Sequence, residues 1–127
     1  MSETIVTRTG TIHRDEDGIV WIVAARISGQ HGLVDAQENT SAVLRLAGGE
    51  RVLLLIDIRQ SPPLVLAARN HYANAVREFA SALAMIIGSA FSRVIGNFSL
   101  DLRPNATPMR LFSSVDEAIA WLEQHRS

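Results

Sequence analysis

Five consecutive apolar residues, Val52-Leu53-Leu54-Leu55-Ile56, constrain the fold of this chain more than any other feature. Successive side chains of a β-strand point to opposite faces, so an apolar run without alternation belongs to a strand covered on both sides, as in the middle of a parallel sheet. Leu83 to Ile87 is a second run of the same kind, and Met109 to Phe112 reads as a short last strand. Strands of this type need helices on their faces, and helical patterns lie between them.

Asp35 is placed to N-cap a first helix through Ala36, Val43, Leu44 and Ala47, which Gly48-Gly49 ends. Ser61 followed by Pro62 reads as the N-cap and first position of a second helix running to about Phe79, with Ala68, Tyr72, Ala75, Val76 and Phe79 as its buried stripe. Ser89 or Ser92 is expected to cap a third helix through Phe91, Val94, Ile95 and Phe98, broken at Arg103-Pro104-Asn105. Ser114 and Glu117 form a capping box for the final helix, whose apolar face is Ala118, Trp121 and Leu122. Ahead of all this, Thr4 to His13 and Ile19 to Ala25 read as a β-hairpin around the turn Arg14-Asp15-Glu16-Asp17-Gly18. The fold class expected is therefore α/β: a mostly parallel sheet with an N-terminal antiparallel hairpin strand at its edge and about four helices. The 127 residues suit one domain, residues 1–127, without linker or repeat.

The composition removes whole classes of chemistry. There is no cysteine, and all 12 basic residues are arginine. Thiolate catalysis, disulfides, Cys-ligated metals, a lysine Schiff base and a P-loop lysine are thereby excluded. Twelve arginines against 13 carboxylates leave a net charge of −1, with no basic stretch to track a phosphate backbone, so no nucleic-acid partner is expected. The apolar runs fall far short of the ~20 residues of a membrane span, and the first residues carry Glu3 where a secretion signal is basic, so a cytoplasmic location is expected.

No motif supplies a catalytic set. His13, Asp15, Asp17 and Gly18 imitate the opening of a calcium loop, but Ala24 stands where a bidentate Glu is needed. His13, His31, His71 and His125 lack the spacing that puts two ligands on one helix face, so no metal and no cofactor are expected. Ile87-Gly88-Ser89-Ala90-Phe91 misses the second glycine of a nucleophile elbow. His31, in the Gly-bracketed segment Gly29 to Gly32 ahead of a helix, reads as a turn residue, with anion binding as the alternative. Ligands of open α/β sheets bind outside the carboxyl ends of the strands, where this chain places Asp57, Arg59, Ser61, Ser89, Ser92 and Ser113. An arginine beside hydroxyls suits a small anionic ligand such as a phosphate or carboxylate, unless Asp57 and Arg59 pair with each other.

Gly32-Leu33-Val34-Asp35-Ala36, Leu44 and Gly49 to Ile58, together with the closing stretch Arg110 to Leu122, resemble STAS domains of the SpoIIAA-like anti-sigma-factor antagonist type. The ending, with Ala67-Ala68-Arg69 and Ile95-Gly96-Asn97-Phe98, is similar to small uncharacterised bacterial proteins grouped with STAS and Sec14-like domains. The likeness runs from Ile19 onward and implies a SpoIIAA-like fold. Antagonists of that type carry a D-S-x-G motif after the strand equivalent to Val52–Asp57, whereas this loop reads Asp57-Ile58-Arg59-Gln60-Ser61-Pro62-Pro63. Ser61 stands near the place of the phosphorylated serine, without the glycine. The resemblance implies a regulatory or protein-interaction module that is not an enzyme and that binds a protein partner or itself, as a homodimer, through an edge strand and the Trp21 hairpin face. The alternative is a small-molecule domain holding an anionic or lipid-like ligand at the strand ends.

Overall fold

Leu54 and Leu55, adjacent in the chain, are both fully buried, and their side chains enter two different hydrophobic cores. The structure, a computed structural model, describes residues 3–88 and 107–126. Its elements are β1 (Thr4–Thr7), β2 (Gly10–Arg14), β3 (Val20–Ala24), α1 (Leu33–Ala47), β4 (Val52–Asp57), α2 (Leu66–Phe79), β5 (Ala80–Ile86), β6 (Met109–Phe112) and α3 (Val115–Glu123). The strands form one six-stranded sheet in chain order. β1, β2 and β3 pair antiparallel, and β3 through β6 pair parallel.

On one face of the sheet Val52 and Leu54 pack with Ile12, Ile22, Val43 and Phe79 beneath α1 and α2. On the other, Leu53 and Leu55 pack with Ala84, Ile86, Phe112 and Leu122 beneath α3. The unbroken apolar run of β4 thus serves two cores, one for each phase of the strand.

Several expectations are corrected locally. Thr4 to His13 is not one strand: it turns at Arg8-Thr9, so the N-terminal hairpin is a three-stranded antiparallel unit. Gly10 permits that turn, because a Cβ there would collide with the carbonyl oxygen of Val23 on the neighbouring strand. α1 is capped by Gly32, and Asp35 occupies the third helical position, where its carboxylate accepts the Gly32 N–H at 2.9 Å. Gly48 closes α1 in the left-handed conformation, φ 61°, as the glycine pair implies.

α2 begins at Leu66 with Val65 as its cap, later than Ser61-Pro62 implies. Pro63 disfavours the helical conformation at Pro62. Leu64 instead forms a parallel bridge with His31, closed by His31 N–H donating to the Pro63 carbonyl and Val65 N–H to the His31 carbonyl, both at 3.1 Å. Trp21 belongs to the α3 side of the sheet, packed against that core, with its indole N–H donating to Asp15 at 2.9 Å, so it is not a free hairpin surface. Ser114 caps α3, accepting the Glu117 N–H at 3.3 Å, which is the serine half of the expected capping box. Three helices lie among the described residues; the one expected through Phe91 to Phe98 falls outside them.

Truncation should report this two-sided burial. Leu54→Ala is expected to cost about 2–5 kcal/mol, whereas Val6→Ala, on the exposed edge strand, should stay within about 0.5 kcal/mol. Urea unfolding midpoints of the two variants check the contrast.

Candidate functional site

α2 does not lie flush on the sheet. Between them is a cavity of about 360 Å³. Its floor is the α2-side surface of the sheet towards the carboxyl ends of the strands, with Ile22 and Ala24 from β3, Ile56 from β4, and Leu83 and Met85 from β5. Its roof is one face of α2, formed by Arg69, Tyr72, Ala73, Val76 and Arg77 at helical spacing. The lining is mostly apolar, and two small residues, Ala24 and Ala73, stand where larger side chains would occupy the space.

The exception is one wall, a chain of polar groups drawn from four segments. Thr7 donates to Asn39 Oδ1 at 2.7 Å, and Asn39 Nδ2 donates to Thr9 Oγ1 and to Tyr72 Oη, each at 2.9 Å. Tyr72 Oη lies 2.6 Å from His31 Nε2. Thr9 and Asn39 are 2% exposed and His31 5%, so the Asn39–Thr9 bond is buried, while those to Thr7 and between Tyr72 and its partners are partly buried. Tyr72 Oη accepts from Asn39 and shares a proton with His31 Nε2, in a direction set by the imidazole tautomer. The buried Nδ1 has no partner, and an unmatched buried polar atom costs about 1–3 kcal/mol.

The charges around the wall are arranged to leave it neutral. Burial pushes the His31 pKa below its ordinary 6.5, against the pull of the nearby Asp35 carboxylate and with the help of Arg8. Tyr72 is pushed up to about 12, chiefly by burial, with the Asn39 hydrogen bond opposing. Asp35 is held well below the usual carboxylate range by the Arg8 guanidinium, which grips both its oxygens at 2.8 Å, and by the Gly32 N–H. Its charge is therefore matched at the turn between β1 and β2 and not within the cavity.

The strand-end residues expected to form a site are dispersed. Asp57 points away from Ile56, towards the face that carries α3. Arg59 grips it with two side-chain bonds of 3.0 and 2.7 Å and a backbone bond of 3.1 Å, so the pair is satisfied within itself. Burial of Asp57 works to raise its pKa, but these bonds prevail and lower it. Ser61 does line the cavity, with its hydroxyl donating to the Pro62 carbonyl at 3.0 Å. Ser113 is exposed beside the α3 cap, while Ser89 and Ser92 lie outside the described residues.

His31, Asn39 and Tyr72 take the place of that set. Asn39 left a legible signal, a carboxamide on the buried face that Ala36 and Val43 define. Tyr72 stood in the expected stripe of α2, but nothing local joins it to His31, 41 residues away.

Comparison with known proteins agrees with this architecture. A family model described as a domain of unknown function, DUF7793, matches residues 13–126. The chain belongs to the DUF7793 family. This DUF7793 chain is similar in structure to an uncharacterised protein of the DUF3478 family with a SpoIIAA-like fold from Shewanella loihica PV-4, at a TM-score of 0.60 and 18% identity over 96% of this chain and 95% of that one. The fold is therefore SpoIIAA-like, as the STAS resemblance implies. No curated protein matches the DUF7793 chain. Among its described residues no helix is long and apolar enough to cross a membrane.

The buried histidine makes stability depend on pH. The unfolded chain protonates His31 near its ordinary 6.5, while the folded protein resists, so stability is full above about pH 6.5 and falls as pH drops towards the lower folded value. Asp35 acts in a separate, more acidic window below its ordinary 3.8, where the loss of its charge frees Arg8. Urea midpoints compared at about pH 7.5 and pH 5.5 should fall further for the wild type than for His31→Phe.

Proposed function

We propose that this domain is a non-enzymatic binding module of the STAS-like type that holds a small, mostly apolar molecule between α2 and the sheet. The observation that carries this reading is the cavity itself, a mostly apolar space bounded on one side by the hydrogen-bonded polar wall of Thr9, Asn39, Tyr72 and His31. Small-molecule sites combine these two features, apolar area for affinity and a few fixed polar groups for orientation. At about 360 Å³ it lies near the lower end of the ~300–1,000 Å³ span of such pockets, which fits one small ligand and not a two-chain lipid. The non-enzymatic part is supported by the absence, among the described residues, of a nucleophile and base in contact around the cavity: Ser61 donates to a carbonyl, and His31 Nε2 is taken by Tyr72.

A protein-interaction role has its own support. β1 is an edge strand with Val6 77% exposed, and edge strands recruit partners through their unpaired backbone groups. A second copy of the chain or another protein could pair there without touching the cavity. Light scattering on the purified protein separates the two: a dimer that Val6→Arg dissociates supports the edge, and a strict monomer counts against it.

The cavity reading is tested with anilinonaphthalene sulfonate, a dye that fluoresces in apolar surroundings. Ala73→Trp, which places an indole into the roof from an exposed helical position, should abolish saturable dye binding while keeping or raising the unfolding midpoint. Equal dye binding by wild type and variant would refute occupancy of this cavity.

A further inference from the structure

The charge around the cavity is one-sided. Among the described residues no Asp or Glu lines it, while Arg69 and Arg77 line its roof, in a chain that carries 13 carboxylates against 12 arginines. We infer that the ligand is a single-chain amphiphile with one anionic head, of the fatty-acid class, whose apolar tail fills the cavity and whose head stays on Arg69 at the solvent-facing rim. This inference rests on the binding reading above and deepens it by naming the ligand class.

Arg69 is set apart by what it lacks. Other arginines are committed to structure: Arg8 holds Asp35, Arg59 holds Asp57, Arg126 holds Glu123, and Arg51 donates to the Ala80 carbonyl. Arg77, further along the roof, also has a partner. Arg69 has no hydrogen bond, ion pair or ring contact among the described residues. It is solvent-exposed and lines the cavity as well, so a group arriving from water can reach it. Its position does not serve the helix. As the fourth residue of α2 it stands where the helix dipole disfavours a cation, and the first turn holds no acidic residue to offset it. On its own such an arginine is ordinary; its meaning comes from the apolar space of about 360 Å³ that it borders.

The two parts of the site ask for two parts of a ligand. Ile22, Ile56, Val76, Leu83 and Met85 offer a tail apolar contact and no side-chain hydrogen bond. A charge drawn in among them would lose its solvation, so the head belongs at the rim. There a guanidinium meets a carboxylate through two parallel N–H···O bonds, whereas a cationic head would meet like charge. The polar cleft that shares Ser61 with the cavity carries the same sign: Arg26 and Arg59 line it, no described carboxylate does, and Arg26 is bonded to the neutral carboxamide of Gln60.

The experiment titrates the full chain by calorimetry with nonanoate, 1-nonanol and nonyltrimethylammonium at neutral pH and low salt. Nonanoate should bind severalfold more tightly than the alcohol, and the cation most weakly. An alcohol or cation that binds as tightly as nonanoate would overturn the anionic class. Arg69→Gln should weaken nonanoate roughly five- to tenfold and leave 1-nonanol within about twofold. Its urea midpoint should stay or rise, since no partner is lost. Arg69→Lys, which keeps the charge and gives up the fork, should fall between. Added salt should weaken nonanoate in the wild type and much less in Arg69→Gln. Equal losses for acid and alcohol would overturn the role of Arg69. Ala73→Trp separates tail from head: it should abolish binding of both, and undiminished nonanoate binding would put the anion on the surface and overturn the amphiphile. If neither nonanoate nor 1-nonanol binds, the cavity reading itself fails and this inference with it; if 1-nonanol binds and Ala73→Trp blocks it while Arg69→Gln changes nothing, only the inference fails.

Discussion

Burial of β4 on both faces is the constraint on which the rest of the structure depends. A strand with apolar side chains in both phases cannot face water on either side, so it has to sit inside the sheet with helices above and below. The chain satisfies this by wrapping α1 and α2 over one face and α3 over the other, with β3 and β5 as the parallel neighbours that complete the strand's hydrogen bonds. The antiparallel strands β1 and β2 extend the sheet beyond this centre and leave β1 at the edge, where it is short and half exposed.

The cavity arises where that packing is relaxed. Pro62-Pro63 and the bridge between His31 and Leu64 keep the segment ahead of α2 extended, and the helix begins only at Leu66. The same bridge gives His31 two roles. Its backbone ties the loop before α1 to the loop before α2, and its side chain is thereby held against Tyr72. A chain selected for stability alone would close such a space and pair the buried imidazole Nδ1. Keeping both open is the kind of cost proteins carry at sites of function.

Acidic and basic residues at the strand ends are spent on structure. Asp57 and Arg59 hold each other across one turn, and Asp35 and Arg8 join the first hairpin to the start of α1. With these pairs internally matched, the polar residues that line the cavity include Thr9, His31, Asn39, Ser61 and Tyr72 together with the two arginines of α2, Arg69 and Arg77.

By itself the sequence determined the architecture: unbroken apolar runs demanded a sheet covered on both faces, and Ser114 with Glu117 marked the start of α3, because periodicity and capping act over a few neighbouring residues. It misplaced the start of α2, where a tertiary bridge overrode a local Ser-Pro signal, and it read the Arg8-Thr9 turn as strand, since the reason for Gly10 is a backbone that approaches from β3. Of the site, Ser61 was legible in part, His31 was visible only as an odd residue in a glycine-bracketed turn, and Asn39 was not read as a site residue. Only the tertiary structure decided that His31, Asn39 and Tyr72 share one wall. They come from a loop and two helices, and a hydrogen bond between side chains 41 residues apart leaves no periodic trace in the chain.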